Sequence, residues 1–274
     1  MNVKRFFMIT LVVAMIAATV SYAAIAADST VVVTPTNQQD FRAFTVGGAV
    51  DLFTLGGAVN FVVDSTAPSG FGALQLANDE TTAVRAQYYY STTTPLRDIT
   101  QLSYYTKQVS GSPAIADPAY FLTTLLEFEV PTTLVFEPYL NPGNNGNATI
   151  VPDEFQKYDV YNGLFYSTKT VTCSGGTIIG TDTGTQLYTL TQIKTICPNA
   201  LVVEFGVRIG TSNPNYKVET DLLNFNGTTY DFEPFIVATS KDQCKMGGFN
   251  NVTRTDGSSF KNQGECLRFV TTGK

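Results

Sequence analysis

Val202-Val203-Glu204-Phe205-Gly206-Val207-Arg208-Ile209 is the stretch that decides the fold class. Apolar residues recur at every second position from Val203 to Ile209, with Glu204 and Arg208 between them. A period of two puts one set of side chains in a core and the other in water, which is the pattern of a half-buried strand. Leu74-Gln75-Leu76 repeats it in miniature.

Outward from this segment, short runs rich in Val, Phe, Tyr, Thr and Leu recur between Gly, Pro and Asn punctuation. Strands are predicted over 30–34, 49–55, 58–63, 72–77, 83–90, 99–106, 121–128, 132–139, 164–171, 201–209, 217–225 and 228–232. About a dozen strands at such spacing indicate an all-β protein, a two-sheet antiparallel β-sandwich or a barrel. One short helix stands out. Leu187, Leu190, Ile193 and Ile196 form a stripe at near-helical spacing, and Pro198 stops it just after Cys197.

The N-terminus carries Lys4 and Arg5, then an apolar run from Phe6 to about Val20, then small residues through Ala26. That layout predicts a secretory signal over 1–26, a sandwich over 27–235 and a small C-terminal unit over 236–274. An uncleaved anchor is the competing reading of the first segment. Of the 17 basic residues in the whole chain, removal of the signal leaves 15 against 23 acidic ones, a charge of about −8. Such a chain repels nucleic acid, and past the signal no segment is long and apolar enough to cross a membrane as a helix.

Four cysteines in an exported chain predict two disulfides. Of the three pairings, the sequence-local one joins Cys173 to Cys197 and Cys244 to Cys266. Each bond would contribute about 3 kcal/mol in the chain-entropy account. With no histidine and no Cys-x-x-Cys pair, zinc is a poor fit.

Asp242-Gln243-Cys244-Lys245-Met246-Gly247-Gly248-Phe249, followed by Phe260-Lys261-Asn262-Gln263-Gly264-Glu265-Cys266, resembles a C-terminal cassette of secreted bacterial proteins. The resemblance implies a secreted, extracellular architecture and no particular reaction. Only Phe249, Val252 and Phe260 lie between the two cysteines for burial, so the disulfide is expected to decide whether the cassette is ordered.

Pro68-Ser69-Gly70-Phe71-Gly72-Ala73-Leu74-Gln75-Leu76, the segment Leu96 to Tyr104, Leu134-Val135-Phe136-Glu137-Pro138-Tyr139 and Tyr230-Asp231-Phe232-Glu233 are similar to concanavalin-like jelly-roll domains of secreted bacterial proteins. The likeness implies a two-sheet jelly roll with a concave face that in related shapes meets carbohydrate. Around Tyr158 to Tyr166, where many such domains carry Trp, this chain has Tyr and Phe.

The absence of histidine removes Ser-His-Asp and Cys-His catalysis. Ser and Lys lie close at Ser167 and Lys169 and at Ser240 and Lys241, without a Ser-x-x-Lys spacing. Carboxylate pairs suited to glycoside hydrolysis occur at Glu127 and Glu129, Glu219 and Asp221, and Asp231 and Glu233, each pair on one face of a strand. As alternating strand residues they read first as solvated faces. Oxygen-rich loops at 141–147, at Asp153 and Glu154 and at 181–184 are candidates for a structural calcium, though none has EF-hand order. No other cofactor is expected.

Tyr158, Tyr161, Phe165 and Tyr166, beside Asp159 and Asn162, place four rings in nine residues and make this segment the candidate ligand site, with cross-strand packing as the plainer use of the rings. Asn147, Asn226 and Asn251 begin N-glycosylation sequons, of consequence only in a glycosylating host. The leading expectation is therefore a secreted, non-catalytic β-sandwich module of the cell surface or matrix that binds carbohydrate weakly. A structural or adhesive module recognising a surface protein comes second, and a carboxylate glycosidase third.

Overall fold

The computed structural model describes residues 28–46, 57–78, 85–109, 117–126, 130–144, 150–181, 186–210 and 214–274. The signal segment, the expected strand 49–55, Glu127, Glu129, Asn147 and residues 182–184 lie outside them.

Among the described residues sixteen strands form two seven-stranded sheets and a small hairpin. The first sheet contains β1 (Ser29–Val33), β3 (Gly57–Val63), β4 (Gly72–Asn78), β6 (Leu102–Gln108), β9 (Gln156–Tyr158), β15 (Lys217–Phe225) and β16 (Thr228–Phe232). The second runs β13 (Tyr188–Thr189), β10 (Leu164–Ser167), β8 (Val130–Phe136), β7 (Ala119–Leu126), β14 (Leu201–Ile209), β5 (Arg85–Pro95) and β2 (Arg42–Val46). β11 (Val171–Cys173) and β12 (Gly176–Ile178) make the hairpin. Pairing is antiparallel except between β1 and β16, which run parallel.

Alternation builds the core. Leu74 and Leu76 on β4, Tyr104 on β6, Tyr120 and Leu122 on β7, Phe205 and Val207 on β14, and Tyr230 and Phe232 on β16 meet between the sheets. Each fully buried ring or branched side chain contributes about 1.5–3 kcal/mol. β14 departs from strict alternation: its register with both neighbours slips between Val202 and Glu204, so Val202 is buried while Val203 is half-buried. A bulge of this kind exchanges the faces of a strand.

The expected helix is α1 (Leu190–Ile196), opened by a capping box between Thr189 and Gln192 and buried through Leu190 and Ile193. Cys173 pairs with Cys197 and Cys244 with Cys266. The expectation of a single helix is corrected by α2 (Lys241–Cys244) and α3 (Gln263–Thr272), both in the C-terminal unit. That unit has a hydrophobic cluster of its own, joining Val237, Ala238, Val252, Phe260 and Phe269 around the Cys244–Cys266 bond, with Phe235, Phe249, Leu267 and Val270 packed against it. The apolar supply is thus larger than the residues between the two cysteines suggest, because flanking residues on both sides fold back onto them.

Candidate functional site

The segment chosen from its rings divides in two. Tyr158 and Phe165 belong to the main core. Tyr158 stacks at a tilt with Tyr104 and donates its hydroxyl hydrogen bond to the buried Asp117 at 3.1 Å. Burial pushes the Asp117 carboxyl up to about 7. Tyr166 packs in a satellite cluster with Ala119 and Val135 on the opposite sheet, its hydroxyl 3.4 Å from Glu137. Desolvation raises Glu137 to about 7 and Tyr166 to about 12. These three rings pack the protein rather than face a ligand, which corrects the expectation for Tyr158, Phe165 and Tyr166.

Tyr161, Asp159 and Asn162 have a different setting. Directly after β9 the chain turns: Asn162 donates its backbone N–H to Asp159 Oδ1 at 3.3 Å and its side-chain amide to Oδ2 at 2.7 Å. The Tyr161 N–H donates to Leu102 O at 3.0 Å, clamping the turn to the start of β6. Val160 points into the core, so its neighbours point out. Tyr161 is half-buried, and the Lys194 ammonium of α1 lies 5.0 Å from its ring centre while donating to Ile99 O at 2.6 Å.

Together these residues border an open groove of roughly 570 Å³ on the outer side of the first sheet, continued by Gln101, Ser103, Lys157 and Asn144. Sequence reading found three of the nine lining residues, Asp159, Tyr161 and Asn162. It missed Gln101 and Ser103, whose place follows from the β6–β9 pairing, with Tyr104 opposite Tyr158 and Tyr105 opposite Lys157. The groove offers hydroxyl, amide and ammonium groups beside an aromatic ring, and Asp159 is the single carboxylate among the described residues that line it. It is equipped to hold a polar ligand and lacks the opposed carboxyl pair of a glycosidase.

Two of the three predicted carboxylate pairs are not on a solvated face, contrary to expectation. Glu219, Asp221, Asp231 and Glu233 are all buried. They surround a switch in the first sheet. β6 pairs with β15 along nearly its whole length, whereas the other edge of β15 is shared: Lys217–Thr220 pair with β4 and Leu223–Phe225 with β16. The exchange falls at Asp221 and Leu222, where the β6 register slips and Leu222 adopts φ +48°.

At this fork, side chains take over from the main-chain ladder. Phe232 N–H donates to Asp221 Oδ1 at 2.9 Å, and Phe71 N–H to both Glu233 oxygens at 3.0 Å. Loop 64–71, between β3 and β4, covers the cluster and adds a hydrogen bond from the Ser69 hydroxyl to Asp231 Oδ2 at 2.9 Å. Beside it, Lys107 pairs with Asp64 of the loop and, at 2.7 Å, with Glu219, which also accepts from Gln75 at 3.1 Å. Burial raises Asp221 to about 7 and Glu233 to about 8.

In the oxygen-rich loop, Asn141 is committed to the fold. Its side chain donates to Glu137 O and Leu164 O and accepts from Leu164 N–H. Among the described residues no group of three or more His, Cys, Asp or Glu side chains is disposed to hold a metal ion.

No protein-family model and no curated protein sequence matches this chain. Among solved structures it is similar to the family 11 carbohydrate-binding module from Clostridium thermocellum, determined with a β-1,3-1,4-mixed-linked tetrasaccharide. That similarity has a TM-score of 0.37 and 11% identity, covering 68% of this chain and 86% of that one. A second structure of the family 11 module, from the cellulosomal cellulase of the same organism, gives 0.36 and 11% over the same shares. A β-1,2-glucanase from Parabacteroides distasonis gives 0.34 and 14%, covering 68% of this chain and 23% of that one. At these scores the likeness bears on neither the ligand nor the chemistry of this chain.

Proposed function

We propose that the protein is a secreted, non-catalytic β-sandwich module that holds a short carbohydrate segment in the groove at Tyr161. The observation that carries this reading is the half-buried Tyr161 ring at the edge of an open polar groove, with Asp159, Asn162, Ser103 and Lys157 around it. A sugar presents an apolar face to a ring and hydroxyls to flanking amides and carboxylates. One stacked ring contributes on the order of 1 kcal/mol, so affinity falls between millimolar and micromolar. Four further groups in the groove supply orientation more than strength.

A glycan-array screen with and without chelator tests the reading and, at the same time, any calcium dependence. Tyr161→Ala is expected to abolish retention on the responsive glycan, while Tyr139→Ala, also on the surface but outside the groove, retains it. Unchanged retention in Tyr161→Ala would remove the groove as the site. No reducing sugar is expected from β-glucans, galactans or xylans. Export belongs to the same reading, and N-terminal sequencing of the secreted protein is expected to begin near Ala27.

A further inference from the structure

The fork at Asp221 concentrates three buried carboxyl groups with no cation facing them among the described residues. From β15 come Asp221 and, farther along, Glu219; β16 brings Asp231; the residue after it is Glu233. β6 supplies Lys107, whose ammonium is held by Asp64 and Glu219, together with Tyr105 opposite Asp221. Loop 64–71 supplies no charge beyond Asp64, and β1, β3 and β4 contain no ionisable residue. Backbone N–H groups of Phe232 and Phe71 and the Ser69 hydroxyl donate to the three acids, and the backbone N–H groups of Leu222 and Ser69 also face Asp221. One oxygen each of Asp221 and Asp231 is buried without a hydrogen-bond partner.

Three ionised carboxylates cannot share such a place cheaply, because each loses water and repels the others. The acids are also the seat of a loop. Gly70 has φ +59°, and a Cβ there would lie 1.5 Å from Glu233 Oε1, so the loop rests directly on that carboxyl. The start of the loop is fastened differently, by the pair between Asp64 and Lys107. Asp64 N–H also donates to Phe71 O at 2.9 Å, closing the loop at its base.

We propose that the fork is a proton-dependent latch: a proton held between Asp221 and Glu233 keeps residues 69–71 seated across the β4–β16 switch, and its loss releases them. The Asp64 end stays fastened, so the loop swings rather than detaches, and the seam between β4 and β16 is uncovered. Burial sets the operating range near neutral to mildly alkaline pH, since it raises Asp221 to about 7 and Glu233 to about 8. The raised groups favour the closed form below that range and oppose it above. This device is independent of the glycan reading.

Hydrogen exchange of the Phe71 and Phe232 amides in the full chain, corrected for the intrinsic effect of pH, tests the latch. Between pH 7 and 9 the opening of both is expected to rise by up to about tenfold per pH unit, while the core amide of Phe205 stays protected. Glu233→Gln and Asp221→Asn, which keep an acceptor but cannot ionise, are expected to remove that rise. The chain has no tryptophan, so Phe71→Trp adds a single fluorophore whose emission follows the same transition. Constant Phe71 protection from pH 6 to 9 would overturn the proposal, as would a pH response that persists in both variants. Calcium restoring protection at pH 9 would overturn it in favour of a cation site.

Discussion

The groove at Tyr161 and the fork at Asp221 are built from the same material and end in opposite states. Both use outward-pointing polar residues of the first sheet, and Tyr105 links them in one cross-strand row, with Asp221 on one side and Lys157 on the other. Lys157 and Asp159 are exposed, whereas Asp221 and Asp231 are sealed under loop 64–71. What differs is the cover. A turn after β9 leaves its end of the sheet open, and a longer connection between β3 and β4 folds back over the other. Strand alternation assigns a residue to a face; the neighbouring loop decides whether that face is wet.

The contrast breaks most severely at Lys107. Lys107→Met leaves Asp64 and Glu219 buried without their cation and is expected to cost about 3–5 kcal/mol, measured as a loss of urea-unfolding free energy. Lys157→Met, at the open end, should stay within ~0.5 kcal/mol of wild type. Equal costs at the two lysines would mean that the covered end is no drier than the groove.

The next effect concerns the cover itself. Gly70 and Gly143 both have positive φ, +59° and +81°, but a Cβ at Gly70 would strike Glu233 and one at Gly143 would meet nothing within 4 Å. Gly143→Ala should therefore cost about 1 kcal/mol for the backbone alone, and Gly70→Ala about 2 kcal/mol or more. Chemical denaturation of the two variants side by side isolates the packing contribution.

The pH dependence follows in size. Asp221 and Glu233 have folded values raised above the ordinary carboxyl range, so their protons are bound more tightly in the folded state. The stability associated with them is present at acid pH and lost as pH rises to about 8. Wild type should lose on the order of 2 kcal/mol between pH 5 and 8.5 from these groups, and Asp221→Asn should lose less. A steeper fall in Asp221→Asn would reverse the assignment. Smallest of all, Asn162→Ala should leave the unfolding midpoint nearly unchanged while weakening glycan retention several-fold.

Much of the sandwich was legible because its strands have short-range signatures. The run 201–209 and the run 217–225 were delimited from composition and punctuation alone. β2, β9, β11, β12 and β13 were not foreseen; the last four have two or three residues each, too few to display a period. α3 was hidden by reading Phe-Lys-Asn-Gln-Gly-x-Cys as polar cassette, although Asn262 at its N-cap and Gly273 beyond its end are ordinary helix boundaries.

Of the six residues chosen as a ligand site, Asp159, Tyr161 and Asn162 border the groove and Tyr158, Phe165 and Tyr166 do not. Nothing local separates Tyr161 from Tyr158, since both are tyrosines beside polar residues. Their difference arises from Val160, which is buried, and from Tyr104, Asp117 and Phe136, which close around Tyr158 from distant parts of the chain. The sequence by itself determined the all-β class and α1 and favoured the local pairing of cysteines among three, because each of these depends on residues close together in the chain. Only the tertiary structure decided which rings are dry, which carboxylates are sealed and where the sheet forks, because burial belongs to surfaces brought together from far apart.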